Sequence, residues 1–200
     1  MTLLQDQIAL IKEWTLVRNL SDAIVTSWVR MFEERLNDEM RVQEMLKTVP
    51  VEYFPTLNFL PDCLEIESIH LQGGRSFEVS STADFRDTTR GEYRGRPVYA
   101  IIGNTIHLNY GAQQLPSTTL ELTYYARVTP LDNAYFPLFN NFPSLYTFGP
   151  LTFSAPYLQE DERLTVWGAF VNTRIQAANT AWQTRKLSGG KLHRQRRGFG

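Results

Sequence analysis

The chain is poor in the residues that chemistry most often needs. Two hundred residues hold one cysteine, Cys63, and three histidines, so no intramolecular disulfide can form and nothing points to an oxidising compartment. His70, His107 and His193 are too far apart for any two to share a local metal-binding spacing. A glycine-rich phosphate loop, an H-E-x-x-H pair, a C-x-x-C pair and a G-x-S-x-G elbow are all missing, which removes the usual signatures of nucleotide, zinc and acyl-transfer chemistry. No apolar run approaches a membrane span, and Met-Thr-Leu-Leu-Gln-Asp at the start lacks a basic stretch before an apolar one. The expectation is a soluble protein made inside a cell, with no catalytic residue, no metal and no cofactor.

Three weak candidates for chemistry each have a plainer explanation. His107 sits in Ile106-His-Leu-Asn109, where alternation puts it beside Asn109 on the solvated side of a strand. Glu65 and Glu67 share a strand face at roughly 6 to 7 Å, a spacing that suits paired carboxylates, but a half-buried strand needs such a polar face anyway. Cys63 follows Pro61-Asp62 with nothing nearby to lower its pKa, so it reads as a small apolar residue.

Charge is unevenly spread. The net charge is −1, yet Arg185, Lys186, Lys191, Arg194, Arg196 and Arg197 put six cations in the last sixteen residues, which leaves −7 for residues 1–184. An acidic body argues against a nucleic-acid-binding face, and a basic end suits an anionic or polar partner.

Periodicity predicts the elements. Leu4, Ile8 and Ile11 mark a first helix over 4–14 with Thr2 as N-cap, and Ser21-Asp22 starts a second with Val25, Trp28 or Val29, Phe32 and Leu36 inward. Arg30, Glu33, Glu34 and Asp38 read as its wet side. The two should form a hairpin against a long C-terminal helix. From Arg41 strands take over, in short units interrupted by Pro50, Pro55 and Pro61. Leu64, Ile66, Ile69 and Leu71 nearly alternate and Gly73-Gly74 turns the chain. Ser80 to Arg96 reads as a loop or short helix, 97–102 and 105–110 as a hairpin across Gly103-Asn104, and 118–128 as a further strand. Helices are expected to return only after Pro143, with Pro150 kinking or starting the helix around it.

The C-terminal helix carries Leu164, Trp167, Val171, Ile175, Ala178 and Trp182 on one face. Glu160, Asp161 and Glu162 belong to its expected first turn, and Gly189-Gly190 is expected to stop it. The segment from Lys191 to Gly200 has no acid and too little apolar content to fold alone. It is either a solvated end, a nucleic-acid contact, or a docking segment in which Leu187, Leu192 and Phe199 are anchors among arginines that grip carboxylates bidentately.

Several stretches, taken in order, carry a resemblance. They are Ser21-Asp22 leading a helix that closes Glu34-Arg-Leu-Asn-Asp-Glu-Met-Arg-Val42, then Leu60-Pro-Asp62 before Leu64-Glu-Ile66, Gly95-Arg-Pro-Val-Tyr99, Ile102-Gly-Asn104 and Leu120-Glu-Leu-Thr-Tyr-Tyr-Ala-Arg127. Stronger are Pro143-Ser-Leu-Tyr-Thr-Phe-Gly149, Ala155-Pro-Tyr-Leu158, Asp161-Glu-Arg163 and a closing helix that ends near Ser188-Gly-Gly190. This order resembles the phage head-to-tail adaptor proteins, the tail-tubular or gatekeeper class beneath the portal; the chain departs from it at Pro150, where a helix former is expected.

The residues alone read as a soluble α+β domain with a basic tail, and the resemblance implies that this fold is organised around a helical core. Its helical core comprises an N-terminal helix hairpin, residues 1–40, and C-terminal helices, 143–187. An antiparallel β-rich insertion occupies 41–142 and an extended basic docking tail 188–200. It further implies a virion neck or tail protein made in the host cytoplasm, a homo-oligomeric ring of twelve copies, and partners in the portal and a downstream tail or nozzle protein. DNA would pass through without sequence-specific binding, with no membrane involved. Residues suited to portal docking are Arg185, Lys186, Leu187, Lys191, Leu192, His193, Arg194, Arg196, Arg197 and Phe199. Alternatives are a carbohydrate-binding tail module, a DNA-binding accessory protein, or an unrecognised hydrolase.

Overall fold

The computed structural model describes residues 2–17, 19–71, 76–87, 97–109, 119–132, 137–158 and 162–196, with the side chains of 83, 86, 87 and 189–196 left aside. The chain is α+β and divides into two compact units, one of residues 1–45 with 128–200 and the other of 46–127.

The first unit is helical, and its local signals are strong. Thr2 caps α1 (Leu3–Thr15) through a capping box, its hydroxyl accepting from the Gln5 amide while Gln5 Oε1 accepts from the Thr2 amide at 3.0 Å. Ser21 caps α2 (Asp22–Glu39) by accepting from the Ile24 amide. An ion pair from Lys12 to Asp22 joins the end of α1 to the start of α2. Val25, Trp28, Val29, Phe32 and Leu36 are all buried, as the period requires.

The hairpin meets the C-terminal helix as expected, through bonds from Arg35 to Asn172 and between the Glu39–Arg41 backbone and Asn179, and a further element shares the contact. α5 (Pro143–Leu151) packs on α1, on α2 and on α6 (Arg163–Arg196). Its Leu145 and Tyr146 are fully buried, and Tyr146 meets Phe32 and Phe139 edge-on at 5.9 and 5.6 Å. Gly149 lies so close to Phe32 that a Cβ there would stand 2.3 Å from the ring, which is how α2 and α5 approach closely. Pro150 does not start this helix. It is the penultimate residue, and the chain leaves through three-residue turns, from Thr152 to Gly149, Phe153 to Pro150 and Ser154 to Leu151. Proline at this position removes the amide bond to the Tyr146 carbonyl, and the helix ends one residue later. A helix also returns earlier than Pro143, in α4 (Pro137–Asn141), while in the other unit α3 (Thr82–Asp87) is the short helix expected within Ser80–Arg96.

α6 needs two corrections. It starts at Arg163, so Glu162 precedes it rather than filling its first turn; Glu160 and Asp161 lie outside the described residues. It also runs on through Gly189-Gly190 to Arg196. Each glycine costs about 1 kcal/mol against alanine but keeps its amide donor, and the Lys, Leu, Arg and Gln that follow are good helix formers.

The second unit is β-rich. One sheet has the order β1-β7-β3, from β1 (Leu46–Glu52), β7 (Thr119–Ala126) and β3 (Cys63–Leu71); the other is β2-β6-β5-β4, from β2 (Thr56–Asn58), β6 (Thr105–Asn109), β5 (Val98–Ile102) and β4 (Glu78–Val79). All pairs are antiparallel except β4 with β5. Ile66, Ile69, Leu71, Leu120, Leu122 and Tyr124 of the first sheet share a core with Tyr99, Ile106 and Leu108 of the second. Pro50 does not interrupt β1, because that strand is at the edge of its sheet, where a missing donor can face away. The irregular alternation of β3 comes from bulges: register slips between Cys63 and Glu65 and again between Ile66 and Ser68. Gly103, at φ +62, starts the tight β5–β6 turn with a residue that tolerates it. The turn expected at Gly73-Gly74 lies outside the described residues.

Candidate assembly interface

α2 carries several heavily partnered polar groups. Glu33, one of the residues expected on the wet side, is 5% exposed. Its Oε1 accepts from the Leu131 amide at 2.8 Å and its Oε2 from Arg30 Nη1 at 2.8 Å, and Arg30 Nη2 lies 3.1 Å from Asp132. One turn on, the buried Asn37 accepts from the Val128 amide at 2.7 Å. Together they hold the strand-to-helix return of residues 128–132. Burial pushes the Glu33 carboxyl up, and the bonds from Arg30 and Leu131 pull against it. The next flank of α2 holds α6: Arg35 Nη2 donates to Asn172 Oδ1 at 2.5 Å, while Asn179 accepts from the Arg41 amide at 2.9 Å and donates to the Glu39 carbonyl at 2.8 Å.

The buried face of α6 is as expected: Trp167, Val171 and Ile175 are buried, and Leu164, Ala178 and Trp182 half-buried. Near its C-terminal end Trp182 and Arg185 line a hollow of about 400 Å³ with Val42, Glu44, Asn141 and Phe142. Of the expected docking residues, Arg185 is therefore exposed on the rim of this hollow, Lys186 is half-buried and Leu187 is 69% exposed. Lys191, Leu192, His193, Arg194 and Arg196 lie on the helical continuation, their side chains outside the described residues, as are Arg197 and Phe199.

Missed from the sequence is a cluster at the other end of α6. Trp14 meets Phe148 at 5.3 Å and Phe148 meets Phe170 at 5.1 Å, both edge-on, yet Trp14 is 43% exposed. Arg163 stacks over Trp167 and donates to the Trp14 carbonyl at 3.2 Å. The exposed Leu16 and Val166 lie nearby in sequence. No period separates an exposed aromatic from a core one, so nothing in the spacing marked them.

The weak chemical candidates resolve as structure. Half-buried rather than solvated, His107 is covered by Phe85 at 6.2 Å, because α3 adds a ring that alternation cannot foresee. The bulge at Glu67 breaks the simple face it was expected to share with Glu65; Glu65 is exposed and Glu67 half-buried. Burial and the neighbouring Asp62 push the half-buried Cys63 thiol up to about 11, the opposite of an activated nucleophile. Asp62 itself accepts from Lys47 Nζ at 2.6 Å and from the Tyr124 hydroxyl at 3.0 Å, fastening the turn before β3 to β1 and β7. No three His, Cys, Asp or Glu side chains converge among the described residues, and no described helix is long and apolar enough to cross a membrane.

These features suit contacts between large surfaces better than chemistry on a small substrate. Comparison with curated proteins finds no match. The family model described as SU10 adaptor protein matches residues 1–195, nearly the whole chain. The chain therefore belongs to the SU10 adaptor protein family, and it is a phage head-to-tail adaptor.

Proposed function

We propose that this adaptor forms a ring, of twelve copies, that joins the portal to the tail and lets DNA pass. In this reading the basic C-terminal segment docks on the portal, through Arg185, Lys186, Leu187 and the residues from Lys191 to Phe199. A downstream tail or nozzle protein takes the opposite end. Such a protein is a structural part of the virion neck and acts without catalysis or a cofactor.

The observation that carries the docking is the end of α6. The helix continues eleven residues past Arg185, about 17 Å at 1.5 Å per residue, and it does so with Leu187 exposed and with cations and no acid in its sequence. A short isolated helical end is marginal in water, so a partner that pairs its arginines and covers Leu187 would stabilise it. The acidic body fits a channel past which DNA slides without adhering, provided its acids line that channel.

Truncation after Leu187 tests the docking. Full-length protein mixed with portal rings should decorate them in electron micrographs, and the truncated protein should not. Undiminished decoration would remove the tail from the mechanism, and particles lacking the chain altogether would remove the adaptor role. Steep weakening with salt would instead favour phosphate contacts by the tail.

A further inference from the structure

The exposed face of α6 is unusual for a solvated helix. At 100° per residue, Val166, Phe170, Thr173, Ala177, Thr180 and Thr184 form a row opposite the buried Trp167, Val171 and Ile175, and all six are exposed. Solvent-facing helix rows normally carry charge. From Leu164 to Thr184 the only charged residue is Arg174, which borders this row one turn after Phe170. Val166 is 66% exposed; Phe170, whose ring rests on one side against Phe148 of the same chain, is 37% exposed, and the small residues beyond them allow another helix to approach closely. Loss of charge with retained apolar groups is the composition of an interface centre rather than of a wet surface.

The same compact unit offers a complement. On α2 the row opposite the core is Ala23, Ser27, Met31, Glu34 and Asp38, all exposed, with Met31 at 50%. It pairs one large apolar group with acids a turn or two away, where the α6 row pairs Val166 and Phe170 with a cation. We propose that the uncharged outer row of α6 in one copy docks on the Met31–Asp38 row of α2 in the next. Met31 would cover Phe170 and Val166, and the Asp38 end would meet Arg174. The contact is head-to-tail: each copy gives one row and receives the other, so it propagates from copy to copy. This rests on the adaptor ring proposed above and names the surface that builds it.

The overlap of Val166–Arg174 with Met31–Asp38 is about 12 Å long and about 10 Å wide, which gives on the order of 120 Å². Stable partners bury about 800 Å² each, so this contact is best read where copies are already held side by side, in assembled particles. The experiment places Met31→Cys together with Val166→Cys or Phe170→Cys in a full-length Cys63→Ser chain, incorporates it into particles, oxidises mildly and separates the products without reductant. At least one pair should give a covalent ladder extending beyond dimer, while each single-cysteine chain stays monomeric. Dimers that stop at two, dimers from a single cysteine, cross-links only to another particle component, or no cross-link at normal occupancy would each overturn the proposal.

A charge arm stands independently of cysteine geometry. Asp38→Arg and Arg174→Asp should each lower incorporation about tenfold, and the two in one chain should restore it to within about threefold. Absence of rescue would overturn the pairing while leaving the adaptor reading intact. Particles that contain no copy of the unsubstituted chain would sink that reading, and this inference with it.

Discussion

Glu33→Ala should cost the helical unit about 2 to 3 kcal/mol. The carboxylate accepts the Leu131 amide at 2.8 Å, and Leu131 is fully buried, so truncation strands a backbone donor away from water. Such an orphan costs about 1–3 kcal/mol. The lost pair with Arg30 adds little, about 0.5 kcal/mol, because that guanidinium is 35% exposed and keeps Asp132 at 3.1 Å. Glu33→Gln retains an acceptor for Leu131 and should cost about 1 kcal/mol. Burial raises the Glu33 pKa above 4.5, so the folded form holds its proton more tightly than the unfolded one. Stability of the parent must then fall as pH rises from that value through the folded pKa, and this slope should vanish in Glu33→Gln. Urea unfolding followed by circular dichroism, at a series of pH values with unchanged m, measures all three quantities. An alanine variant costing under about 0.5 kcal/mol, or a glutamine variant costing as much as alanine, would refute this account of the return segment.

Three other outcomes follow from single positions. Gly149→Ala places a methyl against the fully buried Phe32 ring, so it should cost about 1–3 kcal/mol and lower the melting temperature; an unchanged midpoint would show that the ring can yield. In the β-rich unit, burial works against the Asp62 carboxylate but bonds from Lys47 and Tyr124 outweigh it and lower its pKa below 3.8. The resulting stabilisation is complete above that value and lost as pH falls through the folded pKa, so Asp62→Asn should flatten the acid limb of an unfolding curve. With its thiol near 11, Cys63 should react with a disulfide reagent at pH 8 at least about tenfold more slowly than a free thiol; equal rates would place it in a different environment.

Much of the local structure was legible because it depends on near neighbours. The capping box at Thr2, the Ser21 cap, the inward rows of α2 and α6 and the hairpin at Gly103 are all set within four residues. Glu33 was misread for the converse reason. A glutamate beside Arg30 looks like an exposed pair, and its burial depends on an amide 98 positions away. Pro150 looked like a helix interior because its flanking residues are apolar, yet apolar flanks also suit the last turn of a buried helix. Of the ten expected docking residues, the structure describes the side chains of Arg185, Lys186 and Leu187, and it adds the hollow at Trp182 that no spacing announced.

Sequence alone determined where α1 and α2 begin, which face of α2 and α6 is apolar, and that cations gather at one end, since each of these is written in short-range period, capping chemistry and charge count. Only the tertiary structure decided that α5 is the element the other long helices share, that Glu33 and Asn37 hold the returning chain, and that the uncharged row of α6 faces outward rather than into the core. The physical reason is that an apolar or neutral row states a preference for burial without naming what covers it; the covering element is chosen by contacts between residues far apart in the chain.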